Sequence, residues 1–139
     1  MKIFPDGSTP KEHKVILKLE RITKIYDMGE VKVEALKETS LDIYAGEILV
    51  ILGPSGSGKS TLLNIMGGMD LPTSGNVFFE NQDISGGGET VLTHYRRNEA
   101  GFVFQFYNLI PDLTARENIE LAANLVAKPL PLDNVLKEM

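Results

Sequence analysis

Residues 53–61, Gly53-Pro54-Ser55-Gly56-Ser57-Gly58-Lys59-Ser60-Thr61, fit the spacing G-x-x-x-x-G-K-[ST] of a phosphate-binding P-loop. To wrap a polyphosphate, a loop must turn its backbone N–H groups inward, and glycines let the chain turn that tightly. Lys59 would set an ammonium on the β- and γ-phosphates, and Ser60 would offer its hydroxyl to Mg²⁺, with Thr61 beside it as a further phosphate ligand. Residues 48–52 just before the loop, Ile48-Leu49-Val50-Ile51-Leu52, are all apolar and rich in β-branched side chains, which predicts a buried parallel strand. Residues 60–66 just after it predict a helix whose N-terminus faces the phosphates. A Gly/Ser-rich linker that happens to contain a lysine would not need strand, loop and helix in that order.

The rest of the composition narrows the chemistry. The chain of 139 residues is long enough for one domain and too short for two ordinary ones. A formal net charge of −5 argues against a nucleic-acid surface spread over the chain. There is no cysteine, so disulfides, thiol catalysis and thiolate metal sites are excluded, and the two histidines, His13 and His94, are too few for a His-rich metal site. No apolar run approaches the ~18–20 residues that span a bilayer. The N-terminus has no apolar core of a signal peptide, which implies cytoplasmic residence.

Several elements must position the loop. Residues 1–14, with Pro5, Gly7 and Pro10, are expected to form a flexible arm, and residues 15–139 the domain proper. Alternation from Leu17 predicts a half-buried strand, followed by a turn at Asp27-Met28-Gly29-Glu30. Val31, Val33 and Ala35 mark a second strand, and Leu41, Ile43 and Ala45 a third, so three antiparallel strands are expected before the P-loop strand. Gly67 and Gly68 should end the helix after the loop, and Pro72 should prevent its continuation. A strand is expected at residues 76–80, a turn at 81–83, a helix at 89–98 with Val91, Leu92 and Tyr95 on one side, and a short apolar strand at 101–104 ending at Gln105. Thr114 and Glu117 form a capping box for a helix from Ala115 to about Ala127, and another helix begins near Leu132.

With these residues in view, the chain resembles the ATP-binding subunits of ABC transporters from about Leu17 to its end. The wording at residues 31–36, 64–75 and 101–111 is most similar to the branch that works in lipoprotein release and macrolide or peptide export. The resemblance implies that Tyr26 stacks on adenine, a flat ring against a base giving apolar contact without reading hydrogen bonds; otherwise it is a strand-end aromatic packing on the sheet. It implies that Gln105 is the glutamine that reaches Mg²⁺ or the attacking water, where the residue alone would read as a solvated strand end. It also implies that the aromatic loop 106–111, with Phe106 and Tyr107, presses against a cytoplasmic helix of a transmembrane permease subunit; the alternative is that these rings are tucked into the local core.

Ile84-Ser85-Gly86-Gly87-Gly88-Glu89 looks like the family's signature motif, in which serine and glycines at a helix start contact the γ-phosphate held by an opposite subunit. Its position is wrong, because the family's signature follows the glutamine by a long helical stretch and this run precedes Gln105. It is therefore read as a connecting loop. His94 and the short run Arg96-Arg97 are read as solvated helix surface.

Together these readings give an α/β fold: a partial P-loop NTPase of the ABC ATPase type, with an N-terminal antiparallel β-sheet and the start of the helical subdomain. The expected function is the ATP-binding component of an ABC transporter, a homodimer in its full-length form, peripheral to the inner face of the cell membrane, with ATP and Mg²⁺ and no nucleic acid. Lys59 and Gln105 are the expected catalytic residues, residues 53–61 and Tyr26 hold the nucleotide, and Ser60 and Gln105 hold Mg²⁺. After Gln105 the sequence shows no further signature, no apolar strand ending in Asp-Glu and no histidine. The chain is thus expected to be truncated after the Gln105 region, to bind nucleotide weakly and turn it over negligibly by itself, and to leave apolar surface exposed. The alternative is a non-catalytic nucleotide-binding or interaction module. A small-molecule kinase is disfavoured by the strands that precede the loop and by Gln105.

Overall fold

A computed structural model describes every residue except Met1, Asp6, Ser8, Lys11, Glu12, Tyr107, Ala127 and Met139. The chain divides into two compact units, Met1–Leu92 and Thr93–Met139.

The first unit is built on two long strands, β2 (Val15–Asp27) and β3 (Lys32–Tyr44), which follow the short β1 (Lys2–Ile3). Next come β4 (Ile48–Leu49), α1 (Lys59–Met66), β5 (Ser74–Phe79), β6 (Gln82–Asp83) and the start of α2 (Gly88–Asn98), which runs on into the second unit. The main sheet is antiparallel in the order β3-β2-β5-β6. Leu17 and Leu19 alternate inward on β2 as the sequence predicts, and both are buried. Leu19 lies opposite Leu41 on one side and Val77 on the other. The next buried residue is Ile22, three positions on, because the register shifts between Leu19 and Ile22 and Arg21 takes a positive φ of 48°. Gly75 faces this bulge across the sheet at φ 81°, and a Cβ there would run into the carbonyl oxygens of Glu20 and Arg21.

The two strands expected at 31–35 and 41–45 are one. With β2 extended over its full length, β3 finds a partner along most of its own and stays a single strand through residues 36–40, although the register shifts there. Gly29, at φ 86°, turns the chain between them, and the Met28 N–H donates to the Val31 carbonyl at 2.9 Å. The turn expected at 81–83 sits one residue earlier. Glu80 and Asn81 both take positive φ, 46° and 73°, and a two-residue turn with that twist brings Gln82 and Asp83 back as β6.

Two expectations about the surroundings of the loop are corrected. The stretch 48–52 is not a buried parallel strand: only Ile48–Leu49 is strand, and it pairs antiparallel with Lys2–Ile3. A parallel strand is buried when neighbours cover both faces; here Ile48 is exposed and Leu52 is 79 % exposed. Nor does the described part of residues 1–14 behave as an arm. Besides the β1 pairing, Phe4 is buried, stacked on His13 with centroids 4.4 Å apart and edge-on to Tyr44 at 6.2 Å. The apolar edge of β4 supplies the partner that a polar-looking N-terminus needs to become ordered.

In the second unit α2 is followed by α3 (Ala115–Asn124) and α4 (Leu132–Glu138). Thr114 caps α3 as expected, its side chain accepting from the Glu117 N–H while the Glu117 carboxylate accepts from the Thr114 N–H. The helix closes at Leu125, and Ala127 lies outside the described residues. Leu92 and Tyr95 of α2 are buried and His94 is exposed, as the spacing predicts. The strand expected at 101–104 does not form. Phe102 and Phe104 stack at 5.9 Å, but none of the described strands pairs with this segment, and Val103 points fully into solvent. The apolar stripe of α3 is likewise uncovered: Leu121, Leu125 and Val126 are exposed, and Leu121 and Leu125 share a groove of ≈ 780 Å³ with Phe102, Phe104, Leu109 and Ile110.

Candidate functional site

The P-loop residues lie together between β4 and α1. Gly56 and Gly58 take φ of 76° and 85°, conformations that cost a residue with a Cβ about 1–2 kcal/mol. Gly58 is the N-cap of α1 and leaves the cap without a side-chain acceptor. The first backbone bond of the helix runs from the Leu62 N–H to the Gly58 carbonyl at 2.8 Å, so the amides of Lys59, Ser60 and Thr61 head the helix without a partner one turn back. The first turn carries no acidic residue. An uncapped, acid-free helix start above two left-handed glycines is an arrangement of donors suited to an anion. Lys59 reaches back over the loop, its Nζ donating to the carbonyls of Gly53 at 2.9 Å and Pro54 at 2.7 Å. Gly53, Pro54, Ser55, Gly56, Ser57 and Ser60 are exposed, so the loop is open to a ligand.

Tyr26 stands near the end of β2, and its phenol meets this loop. The hydroxyl donates to Asp70 Oδ2 at 2.7 Å, and the Thr61 side chain lies close enough to act on the same phenol electrostatically. The structure therefore places Tyr26 and Thr61 near one another. Lys24, two residues back on the same face of β2, completes the group. Its Nζ donates to Asp70 Oδ1 at 2.5 Å and to the Leu71 carbonyl at 2.7 Å, and lies 4.9 Å from the centroid of the Tyr26 ring. The Lys24 and Asp70 side chains are only 13 % and 25 % exposed. Hydrogen bonding to Asp70, together with burial, raises the Tyr26 phenol above its ordinary value, with Thr61 opposing. Burial pushes the Asp70 carboxyl up, but donation from Lys24, Tyr26 and the Leu71 N–H outweighs it and leaves the group below the usual carboxylate range.

The sequence reading missed Lys24 and Asp70. The spacing of Lys24 and Tyr26 along an alternating strand was a usable signal, since it puts both on one face. Asp70 carried none: it lies just past the glycines that end α1, where an aspartate reads as turn chemistry. Its placement comes from the helix end, where the Met69 and Asp70 N–H groups both donate to the Asn64 carbonyl, at 2.8 and 3.2 Å.

Gln105 lies in a turn of the second unit and is exposed. Phe106 is 79 % exposed and Leu109 is exposed as well, so Phe106 is not tucked into a core; Tyr107 lies outside the described residues. The glycine-rich run 84–89 is occupied from within. Asp83 Oδ1 accepts from the Ser85 N–H at 2.9 Å, the Ser85 hydroxyl at 2.7 Å and the Gly86 N–H at 2.9 Å. A carboxylate already fills the place an anion would take, which agrees with a connecting loop. Among the described residues no group of three or more His, Cys, Asp or Glu could hold a metal ion. The exposed Ser60 hydroxyl fits Mg²⁺ as a single oxygen ligand to an ion held chiefly by phosphate oxygens and water.

Comparison with known proteins agrees with this geometry. Residues 36–139 match the ABC transporter family. An uncharacterized ABC transporter ATP-binding protein of Thermotoga maritima is 53 % identical over 108 residues, covering 78 % of this chain and 46 % of that protein. A macrolide export ATP-binding/permease protein, MacB, of Marinobacter nauticus is 47 % identical over 108 residues, 78 % of this chain and 17 % of that protein. The solved dimeric structure of MJ0796, a bacterial ABC transporter cassette, superposes with a TM-score of 0.76 at 47 % identity, covering 84 % of this chain and 50 % of that one. The same cassette in a post-hydrolysis state bound to ADP and Pi also gives 0.76, at 46 % identity. The chain spans about half the length of the ATP-binding relatives and cassettes it matches, 46 % and 50 % in these two cases. With a P-loop of this geometry, and with a family match over most of its length, the chain belongs to the ABC transporter ATP-binding family.

Proposed function

We propose that this chain is the nucleotide-gripping part of an ABC transporter ATPase, one that binds ATP with Mg²⁺ and couples binding and hydrolysis to export or lipoprotein release. The observation that carries the reading is the open helix start of α1: three amides without helical partners, no cap and no acid, with the Lys59 ammonium at the mouth of the loop. In this reading the Gly56–Gly58 turn and the amides of Lys59, Ser60 and Thr61 receive the phosphates, and Lys59 exchanges its two carbonyl acceptors for β- and γ-phosphate oxygens. There its charge would also stabilise the negative charge of the transferring phosphoryl group. Ser60 and Gln105 are the proposed Mg²⁺ ligands; the ion, when bound, neutralises phosphate charge. Tyr26 is proposed as the adenine platform.

The partners follow from the same reading. A second copy would close over the nucleotide, as the dimeric state of the MJ0796 cassette suggests, and a transmembrane permease subunit would dock on the loop at 106–111, where Phe106 and Leu109 are exposed. The subunit would then sit at the inner face of the cell membrane. No helix among the described residues is long and apolar enough to cross a membrane.

Lys59→Ala tests the reading. Charge-assisted hydrogen bonds contribute about 1.5–3 kcal/mol each, so losing the ammonium should weaken ATP binding by roughly 100-fold, about 3 kcal/mol. Calorimetric titration of both proteins with Mg-ATP measures it, and an unchanged affinity would refute the assignment. Hydrolysis lost on substitution supports an ATPase; binding without hydrolysis in either protein supports the nucleotide-binding module.

A further inference from the structure

We propose that Asp70 is a positioning residue of the nucleotide site, holding the Tyr26 ring and the Lys24 ammonium in one arrangement beside the P-loop. The inference rests on the reading of Tyr26 as the adenine platform, and it concerns what makes that platform rigid. Tyr26 and Lys24 come from β2, and Asp70 from the segment after α1. Only the folded chain joins them. Both Asp70 oxygens are used, Oδ2 by the Tyr26 hydroxyl at 2.7 Å and Oδ1 by Lys24 Nζ at 2.5 Å, and the Leu71 N–H adds a third donor at 2.8 Å. The carboxylate is thus fixed by its own backbone and cannot swing away with either partner.

The consequence falls on the ring. A tyrosine at the end of a strand is free to change χ1 and to flip about χ2. Tyr26 is tethered at its far end by Asp70, which holds the ring in one χ1 position. Lys24, pinned by Asp70 and the Leu71 carbonyl, lies 4.9 Å from the ring centroid and covers one face. In this proposal a base stacks on the other face. A ring ordered before the ligand arrives loses no rotamer freedom on binding, and that saving shows as affinity for the base alone. The phosphates make no use of Tyr26 and should not sense its orientation.

That separation supplies the test. Mg-ATP and inorganic tripolyphosphate are titrated calorimetrically into the native gene product and into Asp70→Ala, Tyr26→Phe and the double variant. Tyr26→Phe keeps the ring and removes only the tether, so it carries the test even if Asp70→Ala does not fold. Each single change is expected to weaken Mg-ATP about fivefold to tenfold, as the loss of one partly buried hydrogen bond to a charged group does, with tripolyphosphate affinity unchanged. The double variant should lose no more than the larger single change, because the two residues act through one bond. Equal weakening of both ligands would overturn the proposal, making Asp70 a prop of the loop. Unchanged Mg-ATP affinity or additive losses would overturn it too. If the unsubstituted protein binds tripolyphosphate but gains nothing from the adenosine, the adenine platform itself fails, and this proposal with it; if it binds neither, the P-loop reading fails.

Discussion

Three glycines of the loop should tolerate a methyl group to three different degrees, and the structure ranks them. Gly53 has an ordinary φ, and its added Cβ would lie 2.6 Å from Ser57 Oγ, the tip of a side chain that can rotate away. Gly56 sits at φ 76° with nothing within 4 Å, so alanine there meets only the backbone cost of the left-handed region, about 1–2 kcal/mol. Gly58 combines both penalties. At φ 85° its Cβ would lie 2.6 Å from the Ala35 carbonyl oxygen and 3.3 Å from Leu36 Cδ1. Ala35 lies within β3 between Glu34 and Leu36, which pair with Ile25 and Lys24 of β2, and Leu36 is buried, so the backbone there cannot move without disturbing the sheet. Adding an overpacking cost of about 1–3 kcal/mol to the backbone cost puts Gly58→Ala at roughly 2–5 kcal/mol. Urea unfolding of the three variants of the native gene product measures the ranking. The thermal midpoint should fall by about 4–8 °C per kcal/mol for a unit the size of residues 1–92. Equal losses for Gly56→Ala and Gly58→Ala would show that the close approach to β3 contributes nothing, and would refute the reasoning.

Other consequences follow from named contacts. Asp70 is held below the usual carboxylate range in the folded chain, so it contributes stability above its unfolded value near 3.9 and loses that contribution as pH falls through the lower folded value. Asp70→Asn should therefore flatten the acid limb of a stability–pH profile below about pH 4, and an unchanged limb would contradict the assignment. Asp83 obeys the same sign, since burial raises it but donation from Gly86, Ser85 and Asn76 leaves it low; Asp83→Ala should free the amides of residues 85 and 86, seen as faster hydrogen exchange there. Thr114→Ala removes the side-chain half of the α3 capping box, leaving the backbone N–H bond to Glu117, and should cost about 1 kcal/mol, read from helix content and urea midpoint.

Local signals were written plainly in this chain. The P-loop, the capping box at Thr114 and Glu117, the α2 stripe at Leu92 and Tyr95, and the glycines that end α1 were all legible, because each depends on residues within a few positions of one another. The family was legible for the same reason, through contiguous runs of residues around the loop. What the tertiary structure decided is everything that needs a partner from elsewhere. Residues 48–52 and 101–104 are equally apolar, yet the first forms only a two-residue strand on Lys2–Ile3 and the second forms none, because a strand exists only where another edge meets it. Lys24 and Asp70 are 46 positions apart in the chain and 2.5 Å apart in space. No spacing rule joins them; the segment after α1, set against the end of β2, does.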